Sequence, residues 1–168
     1  SSQKPRPVVL VSHAFRGREQ FECNKAVALA ELGYVGCAID VYGKGVSAKD
    51  NDHAFAMMNE LTADRPLLQA RLASASSAAS ALPQVDSERM AAIGFCFGGL
   101  CVLDMARCGL PLAGVASFHG LLAAPGNTQG NAVHSKVLVE HGWDDPMVSP
   151  EQVLEFAAEM REANADWQ

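Results

Sequence analysis

The sequence predicts an α/β fold, a parallel β-sheet with helices over both faces. Three observations lead there. Short apolar runs alternate along the 168 residues with helix-length segments. The strand-like runs are continuously apolar rather than alternating, as in strands buried on both sides. His13, Asp40, Cys96, His119 and His141 all fall at or just past a predicted strand end, the edge where such sheets bind ligands.

The elements follow in order. Val8 to Ser12 is a β-branched run and the first strand. Glu19 to Leu32 reads as a helix with Ala26, Leu29 and Ala30 inward and Gly33 as its stop. Tyr34 to Ile39 is the second strand, and Asp40 to Asp52, with Gly43 and Gly45, a loop. His53 to Glu60 is a short helix, and Ala63 to Leu82 a longer one stopped before Pro83. Arg89 to Gly94 is the third strand, Phe97 to Cys108 a helix, and Leu112 to Phe118 the fourth strand. Leu121 to Ser135 is Gly/Asn-rich and irregular, and Lys136 to Glu140 is the fifth strand. In the last helix Ser149 is the N-cap, Pro150 suits the first position and Gln152 completes a capping box. Val153, Phe156, Ala157 and Met160 then form one apolar stripe. No repeat or long linker divides the chain, which reads as a single domain, 1–168.

Composition excludes several classes. A net charge of −6 disfavours nucleic acid and anionic membrane as partners. No apolar run approaches the roughly 20 residues of a spanning helix. Ser1 to Pro7 is polar and Pro-rich, unlike a signal peptide. Five cysteines with no C-x-x-C pair suit reduced thiols, and hence a cytoplasmic setting. Cys23, Cys37, Cys101 and Cys108 read as small, buried or partly buried apolar side chains.

The stretch Gly94-Phe95-Cys96-Phe97-Gly98-Gly99 is different. A reactive residue flanked by glycines at −2 and +2, between a strand and a helix, is the pattern of a nucleophile elbow. Its nucleophile is Cys96, and the helix N-terminus behind it favours thiolate.

These residues resemble the dienelactone hydrolase family of the α/β-hydrolase fold. Further segments carry the resemblance: Val8 to Gly17, Leu32-Gly33-Tyr34 with Asp40-Val41-Tyr42-Gly43, Val115 to Gly120, and His141 to Val148. It implies an α/β-hydrolase-like three-layer sandwich with a mostly parallel sheet. It also implies a Cys-His-Asp triad that cleaves esters or lactones through an acyl-cysteine, without metal or organic cofactor. Cys96 matches the nucleophile. Gly142, Asp145 and Val148 fit the family pattern G-x-x-D-x-x-V, which favours Asp145 over Asp144 as the acid. The oxyanion donors are the Phe97 amide and one from Ala14 or Phe15. The family's acidic residue in the first-strand loop matches Ala14 here, a departure from the family. Arg16, Arg65 and Arg71 are candidates for its substrate-carboxylate arginines, though exposed surface arginine is the plainer reading. His13, Tyr42, His119 and Trp143 are expected to bind substrate; Phe15, Phe95, Phe97, Tyr42 and Trp143 either line an apolar pocket or belong to the core, and the sequence favours neither.

In this fold the triad runs nucleophile, acid, histidine. His13, His53, His119, His134 and His141 all precede Asp145. The resemblance therefore implies that the last strand and helix, with the triad base, are missing; the domain is incomplete at its C-terminus. His13 is the best surrogate base. Turnover is expected to be low, since a general base contributes about 10²–10⁴-fold. The sheet edge at Val137-Leu138-Val139 is expected to be bare, and so to pair with another copy as a homodimer, be covered by a rearranged segment, or aggregate. The alternative function is a non-catalytic small-ligand or interaction module. Flavin binding is disfavoured because His13-Ala14-Phe15-Arg16-Gly17 is too bulky a loop to cradle phosphate.

Overall fold

The computed structural model describes residues 4–168, so Ser1–Gln3 of the polar N-terminus lie outside the described residues. The elements are β1 (Arg6–Ser12), α1 (Gln20–Glu31), β2 (Val35–Ile39), α2 (Asn51–Ala63), α3 (Arg65–Ser80), β3 (Val85–Phe95), α4 (Phe97–Arg107), β4 (Gly114–Phe118), β5 (Lys136–Glu140) and α5 (Pro150–Glu162). The five strands form one sheet in the order β2-β1-β3-β4-β5, every neighbouring pair parallel. The interior strand β1, between β2 and β3, is buried on both faces, with Val8, Leu10 and Val11 fully covered. That burial is why its sequence is an unbroken apolar run.

Packing faces can be assigned from glycines. A Cβ on Gly36 would strike the Ala26 backbone of α1, so the row Gly36, Val9 and Ala91 faces α1. A Cβ on Gly94 would strike Gly98 of α4, so the row Ile39, Ser12, Gly94 and Ser117 faces α4. On the α4 side Met90, Ala92, Val115 and Val137 are buried in the main core, with Leu68 and Leu72 of α3 and Phe156 and Met160 of α5. On the α1 side, beyond β1, Ala91, Ile93, Gly114, Ala116 and Leu138 are only half-buried.

Several boundaries differ from the sequence reading. β3 starts at Val85, four residues earlier than expected. Arg6 pairs with Val85 and Val8 with Met90, and the extra residues of β3 loop out at this irregularity. Asp86, Ser87, Glu88 and Arg89 are polar because they leave the ladder for solvent. α2 starts at Asn51, where the Asp50 carboxylate caps it by accepting the His53 N–H at 2.8 Å. Asp64 ends α2 and caps α3 through the Leu67 N–H at 3.0 Å, splitting the helical stretch. β4 is shorter than expected, beginning at Gly114. The capping box of Ser149 and Gln152 on α5 is present.

The edge expected to be bare is occupied over this stretch by the chain's own last residues. Trp167 bridges Val137 in parallel, with Val137 N–H to Asp166 O, Gln168 N–H to Val137 O and Val139 N–H to Gln168 O, each 2.9 Å. The Trp167 ring meets Phe156 edge-on at 5.9 Å, anchoring this bridging segment to the core.

Candidate active site at the strand ends

β3 runs straight into α4 with a single residue between them, Cys96, at φ 55° and ψ −119°. A side chain in that region is strained by roughly 1–3 kcal/mol and persists only where its surroundings force it. The forcing contacts are visible. The Cys96 N–H bonds to Phe118 O at 3.0 Å, and the Gly99 N–H bonds back to Cys96 O at 2.9 Å. A Cβ on Gly98 would press on the Ser12 carbonyl, and one on Gly99 would press on Gly120. The glycines of the motif are therefore required by α4 lying directly against the ends of β1 and β4.

The half-buried Cys96 thiol is held above its ordinary pKa. Burial is the largest cause, and the charge of Asp145 adds to it. The backbone N–H groups of Phe97 and Phe15 act in the opposite direction, stabilising the thiolate. The expected helix-favoured thiolate is thus outweighed, and at neutral pH Cys96 is a protonated thiol. Both amides nonetheless bear on its sulfur, one from α4 and one from the loop after β1. Asp145 lies near enough to act on it, and its carboxylate accepts the Met147 N–H at 2.8 Å. Asp144, its exposed neighbour, is not among the groups that act on Cys96.

The loop after β1 is anchored from below. His13 is fully buried. Its Nε2 accepts the Val41 N–H at 3.2 Å, so its proton sits on Nδ1, which donates to Ala14 O at 2.7 Å. The Ala14 N–H donates to Oε1 of the buried Glu22 at 3.3 Å, while Glu22 Oε2 accepts the Glu19 N–H at 2.9 Å. Tyr42 donates its hydroxyl to Phe15 O at 2.9 Å and stacks on the Phe97 ring, 5.8 Å away and tilted by 13°.

A dienelactone hydrolase family model matches residues 1–168. The chain belongs to the dienelactone hydrolase family. It is similar to a solved structure described as m3DLH, with 33% identity and a TM-score of 0.91 over 99% of this chain and 70% of that one. A dienelactone hydrolase-like promiscuous phosphotriesterase from metagenomic libraries is 36% identical, also with a TM-score of 0.91 and the same two coverages. An uncharacterized Caenorhabditis elegans protein is 39% identical over 110 residues, 64% of this chain and 70% of that protein.

Within this dienelactone hydrolase family frame, several expectations need correction. His13 was expected to touch substrate and to be the best surrogate base; it is fully buried and both ring nitrogens are engaged. Tyr42, also expected at the substrate, is buried with its hydroxyl committed to the Phe15 carbonyl. The Ala14 amide is held by Glu22, which leaves Phe15 as the loop's donor toward Cys96. Arg65 is buried and paired with Asp104, and Arg71 donates to Val41 O at 2.7 Å. Arg16 donates to Asn51 Oδ1 at 3.0 Å on the surface. His119 and Trp143 are exposed at the strand-end side, His119 at φ 40° with its N–H on Glu140 O.

A cleft of about 480 Å³ is lined by Met58, Asn59 and Thr62 of α2, Arg65 of α3, Leu100 of α4 and Leu121 among others; Cys96 does not line it. Leu100 lies one turn along α4 from Cys96, and Met147 is two residues from Asp145. Glu22 escaped the sequence reading. Its signal was the Glu19-x-x-Glu22 spacing of a capping box, both bonds of which are present. No helix among the described residues is long and apolar enough to cross a membrane.

Proposed function

We propose that this chain is a thiol hydrolase of small esters or lactones that works through an acyl-Cys96 intermediate. The observation that supports this reading best is the strained elbow that sets Cys96 alone between β3 and α4, its N–H held by Phe118 O at 3.0 Å, with the Phe15 and Phe97 amides favouring its thiolate. Sγ attacks the acyl carbon and its proton passes to a base. Charge develops on the carbonyl oxygen, which the Phe15 and Phe97 N–H groups receive. The C–O bond then breaks, the alkoxide leaves with the electron pair, and water later releases the acid from sulfur.

Asp145 is the group that orients the imidazole of the triad. All five histidines of the chain precede it in sequence. Without the base, the chain acylates slowly and hydrolyses the thioester more slowly still. The five unpaired cysteines support a reducing, cytoplasmic setting.

The test is incubation with p-nitrophenyl acetate followed by mass spectrometry of the peptide holding Cys96. One acetyl group on Cys96, absent in Cys96→Ala, is the expected result; no adduct above background overturns the reading. A neutral nitrophenyl phosphotriester belongs in the same assay, because the similar metagenomic enzyme is described as a phosphotriesterase. The same thiol and amide pair can face a phosphoryl oxygen as well as a carbonyl.

A further inference from the structure

We propose that His13 and Tyr42 are positioning residues that hold the Phe15 amide toward Cys96 by anchoring the two carbonyls that flank it. The assignment rests on the acyl-Cys96 reading above and adds to it the parts that hold the loop donor in place.

A peptide group is rigid and planar, so its N–H and C=O point in opposite directions as one unit. The Phe15 N–H shares its plane with the Ala14 C=O. His13 Nδ1–H donates to that oxygen at 2.7 Å, and the Gly17 N–H reaches it at 3.2 Å. Fixing the carbonyl at the back of the plane fixes the N–H at the front. The next carbonyl, on Phe15 itself, receives the Tyr42 hydroxyl at 2.9 Å. The residue bearing the donor is therefore pinned on both sides. A bond to the carbonyl also polarises the peptide, making its N–H a better donor.

The anchors are themselves held. Val41 N–H fixes the His13 ring through Nε2 at 3.2 Å, and the His13 and Tyr42 rings lie 4.7 Å apart. Arg71 of α3 donates to the carbonyls of Val41 and Tyr42 at 2.7 and 3.3 Å. Tyr42 also stacks on Phe97, whose amide is the other donor. One buried pair of rings thus spans both halves of the oxyanion site. It is buried, His13 fully and Tyr42 to 8% exposure, and its ring nitrogens and hydroxyl are all hydrogen-bonded within the protein.

The experiment compares two reactions of the same thiolate. Acetylation by p-nitrophenyl acetate forms the S–C bond, expels nitrophenolate with its electron pair, and passes through an oxyanion. Alkylation by iodoacetamide displaces iodide and forms none. The ratio of the two rates at Cys96, read by peptide mass spectrometry, cancels the thiolate fraction and reports the oxyanion site alone. Removing such a donor outright costs about 10²–10³-fold. Tyr42→Phe and His13→Ala, each loosening it, are expected to lower the ratio at least about tenfold. His13→Asn, whose side-chain amide can still donate to the Ala14 carbonyl, is expected to recover part of the loss. Tyr42→Phe removes a single hydroxyl and serves if His13→Ala does not fold. An unchanged ratio in Tyr42→Phe, in a protein whose Cys96 acetylates normally before substitution, overturns this assignment alone. Failure of the unaltered chain to acetylate overturns the thiol-hydrolase reading, and this assignment with it.

Discussion

Asp104 of α4 and Arg65 of α3 form a two-armed ion pair in the interior, with Asp104 wholly buried. Arg107 joins Asp104 at 3.4 Å and continues to Glu159 of α5 at 2.7 Å. The guanidinium groups also bond the carbonyls of Leu122 and Ala123. Three helices and the irregular segment after β4 are thus joined through alternating charges. A buried charge that loses its partner is costly, about 3–5 kcal/mol for a pair broken from one side. Asp104→Asn leaves Arg65 without a counter-charge. Urea unfolding is expected to show a loss within that range, and a change below 1 kcal/mol would contradict the account.

The glycines give a second contrast. Gly94 has no room for a Cβ, which would meet the Gly98 backbone well inside 3.0 Å. Gly109, at φ +69°, has nothing within 4 Å of a Cβ. Gly109→Ala is expected to cost about 1 kcal/mol, the penalty of a left-handed residue. Gly94→Ala is expected to cost several times more, because backbone rather than side chain must move. Thermal melts of the two variants decide it, and equal losses would show that the elbow can relax.

The parallel strands and the elbow were legible because their causes are local to the sequence. Buried parallel strands must be apolar throughout, as in Val8 to Val11, and a bend with helix and strand in contact must be glycine, as at Gly94 and Gly98. What depends on distant partners was not legible. Val85 to Glu88 fall outside the third strand as read from the sequence, because only Arg6, far back in the chain, brings Val85 into the sheet. Arg65 read as surface, since nothing near it announces Asp104, which lies 39 residues away. His13 and Tyr42 sit at strand ends, where substrate residues are expected. Whether a ring there turns outward or under the loop depends on Val41 and Phe15 meeting it, which no spacing reveals.

Burial of His13 lowers its pKa below the usual 6.5, and burial is the largest cause. The facing charges are Asp40 and Glu22, which raise it, and Arg18, which lowers it. Between the folded and unfolded pKa values the unfolded chain holds the extra proton, so folding stability falls as pH drops below 6.5. The limiting slope for one such group is about 1.4 kcal/mol per pH unit. His13→Asn removes the titrating group. Urea midpoints between pH 7 and 5.5 should fall more steeply for the unaltered chain than for the variant; parallel slopes would show that His13 takes its proton without cost.

Cys96 couples strain to reactivity, and the two are separable by substitution. At φ 55° and ψ −119° a Cβ is strained by about 1–3 kcal/mol, while replacing alanine by glycine costs about 0.4–1 kcal/mol in chain entropy. Relief is the larger effect, so Cys96→Gly should melt above Cys96→Ala, and neither should acylate. The unaltered thiol, held above its ordinary pKa by burial, should be alkylated faster as pH rises through 9 and beyond. With no imidazole supplied after Asp145 in these 168 residues, added free imidazole is expected to speed acylation and thioester release in this chain. A mobile imidazole lacks the alignment that a tethered one has, so the gain should remain well below the 10²–10⁴-fold of a positioned base. Asp145→Asn should reduce that gain, because the carboxylate would no longer hold the added ring. An equal gain in both proteins would place the imidazole elsewhere and remove Asp145 from the triad.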